Sequence, residues 1–251
     1  MQFKILPIKE NRKLNNRYFV LKVPDKSISA QSQPGQFCEI KDVESDEPLL
    51  PRPFSIYKVE ENTISFLIKI VGETTRNLSQ KKTAEMISIL GPLGNGFKIP
   101  KNKSVLLISG GIGYAPFPFL KNKLQKNGNE IQWLHGGKDK YDIFSSNIRN
   151  FTEDGSLGKK GLVTEGLPVV LEKDSINIVF ACGPNPMLKR ISEISELYQV
   201  ELQVSIETIM ACGMGACCGC IIKYIENGKI TYKKACVDGP VFDGKKVDWD
   251  E

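Results

Sequence analysis

Four cysteines and three glycines crowd into ten residues of this chain, ACGMGACCGC at 211–220. Cys212, Cys217 and Cys220 stand as C-x4-C-x2-C, and Cys236 follows after fifteen intervening residues. That is the plant-type spacing of thiolate ligands to a [2Fe–2S] cluster. Thiolates at these intervals converge on two irons only if the backbone turns tightly, which Gly213, Gly215 and Gly219 permit. Backbone N–H groups brought close to the sulfurs would help to set the potential. Using Cys218 in place of Cys217 gives C-x5-C-x-C, which fits no expected spacing, so Cys218 reads as a non-ligand. The alternative is a structural zinc, because four thiolates also suit a tetrahedral ion. Zinc sites usually pair two C-x2-C arms, however, and this loop has one. Cys38, inside a candidate strand, reads as a buried small hydrophobe.

Two further stretches carry chemistry at the ends of candidate strands. SGGIGYAPF (109–117) follows an apolar run and opens a helix, so Gly110, Gly111 and Gly113 could turn tightly beneath a pyrophosphate. It departs from G-x-G-x-x-G at Ala115 and Pro116, and an ordinary strand-to-helix turn accounts for it equally well. ACGPNPML (181–188) also ends a strand and begins a helix. Both turns then lie at the same carboxyl edge of a sheet, where ligands bind, with Cys182, Gly183 and Pro184 lining the crevice. Earlier, RPFS (52–55) offers an arginine fork suited to a diphosphate and a hydroxyl able to reach a flavin ring nitrogen. The plain alternative there is a surface arginine beside an edge-strand proline.

The elements that must position these residues fall into three regions. Up to about residue 100 the chain reads as all-β. YFVLKV, QFCEIK, FSIYKV and TISFLIKIV are punctuated by QPGQ, DEPLLPRP and GPLGNG, a rhythm that predicts a small barrel or sandwich. From 101 to 207, strands (SVLLISGG, EIQWLHGG, INIVFACGP, VELQVSIE) alternate with helices (APFPFLKNKLQKNG, NPMLKRISEISELYQ), which predicts a parallel sheet with crossovers. From 208 to 251 periodicity fades and five of the seven cysteines appear.

Composition bounds the partners. Hydrophobic residues make up 41% and charged residues 25%, ordinary for a globular chain with a real core. The net charge of +5 is scattered, with no basic block of the kind that tracks phosphates, so nucleic acid is not expected as a partner. No run approaches the roughly 18 apolar residues of a membrane span. The opening MQFKILPIKENRKLNN does not read as a signal peptide, so the expectation is a cytoplasmic, reducing setting.

Taken together and in this order, PGQF, RPFSI, GPLGNGF, GGIGYAPF, EDGSLGKKG, CGPNPML, MACGMGACCGC and CVDGPVF resemble the ferredoxin-reductase superfamily over essentially the whole chain. More closely, they resemble the electron-transfer subunits of NAD-dependent (class 1B) dihydroorotate dehydrogenases. The resemblance implies an antiparallel β-barrel holding FAD at 1–100, an α/β parallel-sheet domain receiving NAD at 101–207, and a [2Fe–2S] module at 208–251. It implies a flavin site at Arg52, Pro53, Phe54 and Ser55, at Leu67, Ile68 and Lys69, and at Thr74 and Thr75. The family usually has Gly-Thr at the last pair, and Thr74 departs from that pattern. The four cluster cysteines carry over unchanged. It also implies an FMN-containing catalytic partner in a heterotetramer of two plus two chains, which oxidises dihydroorotate and passes electrons through cluster and FAD to NAD. No catalytic acid or base for dihydroorotate is expected here, and His135 reads as structural. Lys138 and Lys140 could meet a 2′-phosphate, but the resemblance favours NAD. Two rivals stand beside this reading. One is a sibling subunit serving a ferredoxin:NADP oxidoreductase, a sulfide dehydrogenase or a hydrogenase. The other is a non-enzymatic zinc-binding module, which a visible spectrum would separate.

Overall fold

The structure is a computed structural model and describes residues 1–43 and 49–249, so the start of the DEPLLPRP connection lies outside the described residues. The N-terminal half carries β1 (Gln2–Pro7), β2 (Glu10–Lys13), β3 (Tyr18–Pro24), α1 (Lys26–Gln31), β4 (Phe37–Asp42), β5 (Arg52–Ser55), β6 (Lys58–Glu60), β7 (Thr63–Lys69), α2 (Glu73–Gln80) and β8 (Met86–Leu93). Two four-stranded antiparallel sheets, β1-β8-β4-β5 and β2-β3-β7-β6, close around one core. Phe19, Leu21, Cys38, Ile40, Ile64, Phe66 and Ile89 fill it. The stretch FSIYKV is not one strand but two. Ile56 N–H bonds to Gln36 O and Tyr57 N–H to Ser65 O, so the chain crosses from one sheet to the other there. A barrel corner of this kind leaves no break in the apolar pattern, which is why the sequence reads as continuous.

The second half supplies β9 (Ser104–Gly110), α3 (Phe117–Lys126), β10 (Glu130–Gly137), β11 (Arg149–Thr152), β12 (Lys159–Lys160), α4 (Gly166–Lys173), β13 (Ile178–Cys182), α5 (Asn185–Leu197) and β14 (Glu201–Ser205). The C-terminal segment adds β15 (Ile221–Glu226), β16 (Lys229–Lys234) and β17 (Val241–Asp243). The large sheet has the order β12-β11-β10-β9-β13-β14-β17. Its strands are parallel except β17, which returns antiparallel to β14. Val105, Leu106, Leu107 and Ile108 of β9 are fully buried, as expected for a parallel strand covered on both faces. The GPVF stretch at 239–242 therefore packs inside: Pro240 and Phe242 are buried and Val241 is partly covered. β15 and β16 make a hairpin in the region where periodicity had faded.

A polar network ties the barrel to the α/β sheet. Arg17 donates to both carboxylate oxygens of Asp139, at 3.1 and 2.8 Å. The buried Tyr18 hydroxyl donates to Asp142 Oδ1 at 2.8 Å. Burial works to raise the Asp142 pKa, but the Tyr18 bond, the Lys138 N–H and the nearby Lys69 and Arg17 charges hold it below the usual carboxylate range. Stability from this group is present above the unfolded carboxyl pKa and is lost as pH falls through the depressed folded value. Tyr18→Phe removes one donor from a buried carboxylate and is expected to cost about 1–3 kcal/mol. Denaturant unfolding checks it, and a midpoint equal to that of the parent chain would refute it.

Candidate functional site

The turn after β9 begins with Gly110 in extended conformation and Gly111 at φ +53°, a left-handed value that favours glycine. Gly111 to Tyr114 then form one turn of 3-10 helix before α3. β9 is flanked by β10 on one side and β13 on the other, so the sheet order reverses here. In an open parallel sheet, that reversal opens a crevice at the carboxyl ends of the strands. The two glycine motifs meet in it. A Cβ at Gly113 would collide with the Cys182 carbonyl and stand 2.7 Å from Gly183 N, and one at Gly110 would stand 3.2 Å from Pro184 Cδ. Gly113→Ala is therefore expected to force the two turns apart, at about 1–3 kcal/mol of stability. It should also weaken nicotinamide dinucleotide binding. Thermal unfolding and a dinucleotide titration measure both, and unchanged values would count against the close approach.

A cleft of about 780 Å³ opens between barrel and sheet. Its walls include Arg52, Pro53, Phe54 and Ser55 from β5, Leu67, Ile68 and Lys69 from β7, and Thr74 and Thr75 from α2. Gly113 and Cys182 close it on the sheet side. Gly110, Gly111, Gly183 and Pro184 are not among the residues that line this cleft, and nothing lies within 4 Å of a Cβ built on Gly111. Arg52 is half-buried, and its Nη1 donates to the Leu50 and Pro51 carbonyls at 3.2 and 3.3 Å. Thr75 Oγ1 accepts from Val71 N–H and Gly72 N–H, fixing the first turn of α2. Thr75 thus orders the helix end as well as facing the cleft. Thr74 lies in the first turn of α2, outside the left-handed region, so its Cβ meets no backbone penalty. The departure from Gly-Thr costs nothing in backbone φ.

Sequence reasoning missed the far wall. Ser205, Ile206, Glu207 and Thr208 at the end of β14, followed by Met210 and Ala211, complete the cleft. The signal was present, since the carboxyl end of any strand beside the switch point belongs to the crevice. Ala211 adjoins Cys212, so the cleft reaches the cysteine loop itself.

Two short contacts hold the cysteines of that loop. Cys217 N–H donates to Cys212 Sγ at 3.3 Å, and Cys220 Sγ lies 3.2 Å from Cys236 Sγ. Hydrogen bonds from Cys217 N–H and Met214 N–H bring the Cys212 thiol down to about 6. Burial pushes Cys236 up to about 12, reinforced by its contact with Cys220 and opposed by a Gly215 N–H. Gly213 and Gly215 both have positive φ, which turns these N–H groups toward sulfur. Among the described residues, no three Cys, His, Asp or Glu side chains converge on a single metal point. Four cysteines at this spacing, with backbone N–H donors turned toward Cys212 and Cys236, fit a [2Fe–2S] cluster. Cys218 is exposed, whereas Cys38 is fully buried in the barrel core with its thiol pKa raised by burial. Beneath the loop lies Glu39, whose carboxyl is pushed up to about 7 by burial and by Cys212.

His135 is fully buried. It shares hydrogen bonds with Ser109 Oγ and the Asp142 carbonyl, both at 2.8 Å. Burial lowers its pKa, so the ring is neutral and structural. Lys138 and Lys140 are exposed on the following loop. No helix among the described residues is long and apolar enough to cross a membrane.

Comparison with known proteins agrees with this geometry. Residues 207–248 match the model of the iron-sulfur cluster binding domain of dihydroorotate dehydrogenase B. The chain is 38% identical over 245 residues to the dihydroorotate dehydrogenase B (NAD(+)) electron transfer subunit of Caldanaerobacter subterraneus subsp. tengcongensis, covering 94% of this chain and 96% of that one. It is 35% identical to the subunit of the same name from Desulforamulus reducens, with 94% of each chain covered. Among solved structures, an NADH-dependent reduced ferredoxin-NADP oxidoreductase superposes with a TM-score of 0.86 at 32% identity, covering 98% of this chain and 91% of that one. A ferredoxin NADP+ reductase from Neisseria gonorrhoeae with bound FAD and NADP shares the fold, with a TM-score of 0.69 at 13% identity over 82% of this chain and all of that one. The chain belongs to the family of dihydroorotate dehydrogenase B (NAD(+)) electron transfer subunits.

Proposed function

We propose that this chain is the electron-transfer subunit of an NAD-dependent dihydroorotate dehydrogenase, an oxidoreductase component of pyrimidine biosynthesis. One observation carries the reading: a single cleft touches the β5 and β7 strands of the barrel, Cys182 at the sheet switch point, and Ala211 beside the first cluster cysteine. A nicotinamide moves a hydride and a [2Fe–2S] cluster moves one electron, and a flavin between them supplies both kinds of chemistry.

The residues divide that work among three units, a flavin barrel at 1–100, a NAD domain at 101–207 and a cluster module at 208–251. Arg52 would hold the FAD diphosphate by charge-assisted bonds, aided by the N-terminal turn of α2 with Thr74 and Thr75. Pro53, Phe54, Ser55, Leu67, Ile68 and Lys69 would seat the flavin ring. Gly110, Gly111 and Gly113, with Cys182, Gly183 and Pro184, would receive NAD. Cys212, Cys217, Cys220 and Cys236 would hold the cluster. Dihydroorotate chemistry then belongs to an FMN-containing catalytic partner, in a cytoplasmic assembly of two plus two chains.

The purified chain is expected to oxidise NADH with an artificial acceptor while leaving dihydroorotate untouched. Adding the catalytic subunit should restore dihydroorotate-dependent NAD reduction. Dihydroorotate oxidation by the single chain would sink the reading. The 0.86 superposition favours one second reading, a subunit of a ferredoxin-NADP oxidoreductase. NAD(P)H-dependent ferredoxin reduction, with no response to the dihydroorotate partner, would select it.

A further inference from the structure

Glu39 does not belong in a barrel wall on composition alone. Its neighbours along β4, Cys38 and Ile40, point into the barrel core. By strand alternation Glu39 points the opposite way, toward the sheet's outer face. That face is covered, because Glu39 is only 1% exposed. What covers it is the cysteine loop. A Cβ at Gly213 would lie 2.5 Å from Glu39 Oε1 and 2.8 Å from Oε2. Gly213 is also in the left-handed region, at φ +60°. The first glycine of the loop is therefore demanded twice, by the backbone turn and by the carboxyl beneath it.

The carboxyl is not consumed by the barrel. Oε1 is buried without a hydrogen-bond partner among the described residues. Leaving a buried acceptor unpaired costs free energy, whereas an apolar side chain of similar size would fill the space without that cost. The position in the fold suggests what the group does. Across the sheet, Glu39 pairs with Pro53 on one side and Leu90 on the other. Pro53 lines the cleft, so one strand register separates the candidate flavin wall from the floor of the cysteine loop.

We propose that Glu39 is a positioning residue that braces the Cys212–Gly213 end of the cluster loop against the flavin barrel. The brace works by shape and by an acceptor, Oε1, that stands unpaired beside the loop. The carboxyl fills the hollow left by Gly213 and offers acceptors to the loop, so Cys212 is presented at a fixed distance from the cleft. This rests on the cluster reading of the four cysteines.

The test uses the full chain purified without oxygen, with Glu39→Gln and Glu39→Ala. Gln keeps the shape and an acceptor oxygen, and Ala removes both. Four quantities are read: iron and sulfide per chain, the EPR spectrum of the reduced protein, the rate of iron release to a chelator, and FAD content. Glu39→Ala is expected to release iron several-fold faster and to show an altered EPR line shape with FAD content unchanged. Glu39→Gln should stay close to the unaltered chain. If Glu39→Ala is insoluble, Glu39→Leu replaces it, filling the space without an acceptor, and the same expectations apply. An alanine or leucine variant indistinguishable from the unaltered chain overturns the brace. So does loss of FAD in parallel with iron, which would mark Glu39 as a support of the barrel alone. Absence of iron and sulfide from the unaltered chain would instead overturn the cluster reading beneath it.

Discussion

Serine at any one of Cys212, Cys217, Cys220 or Cys236 is expected to abolish or destabilise the cluster, whereas Cys218→Ser leaves it in place. A serine oxygen is a harder and poorer ligand for iron than a thiolate. Serine at Cys220 or Cys236 also breaks the Sγ–Sγ contact between them, and serine at Cys212 removes the sulfur that accepts the Cys217 N–H. Cys220 and Cys236 are buried, and loss of either leaves the other facing a site that solvent cannot readily complete. Iron should fall from about two per chain to well below one. Cys218 is exposed. Iron and sulfide analysis of the five variants decides the matter, and cluster loss in Cys218→Ser would overturn the ligand assignment.

Arg52→Ala is expected to strip FAD while sparing the cluster. Arg52 stands at the rim of the cleft, held there by the carbonyls of Leu50 and Pro51, with the first turn of α2 lining the same cleft. A hydrogen bond to a charged group contributes about 1.5–3 kcal/mol, so its loss should weaken FAD retention roughly ten- to hundredfold. Iron content should remain near normal, because the cluster ligands come from the C-terminal loop. Equal FAD content in both proteins after extensive dialysis would remove Arg52 from the diphosphate site.

Particular residues show where the sequence was legible. The cysteine spacing, the two strand-to-helix turns at Gly110 and Cys182, and the switch from β-rich to alternating βα rhythm all stand in short windows. Strand β10 and helix α5 begin where their apolar patterns begin. Thr74 departs from the family pattern in the sequence, and its place in the first turn of α2 shows only in the structure. FSIYKV read as one strand because apolar content continues while the hydrogen-bond partners change sheets. QFCEIK read as an ordinary strand, and nothing in it reveals that Glu39 is buried under a loop some 170 residues later.

The sequence by itself determined the chemistry available to this protein: thiolates at cluster spacing, glycines where backbone must turn, and an arginine at the start of a β-strand. Those properties are local, because ligand spacing, turn geometry and side-chain charge depend on residues a few positions apart. Only the tertiary structure decided that β17 returns to the large sheet and buries GPVF. It also decided that the end of β14 forms the far wall of the cleft, and that the cleft runs from Arg52 to Ala211. Burial, shifted ionisation and convergence arise from pairs distant in sequence. Their energies depend on which surfaces exclude water from which, and no short window of residues contains that information.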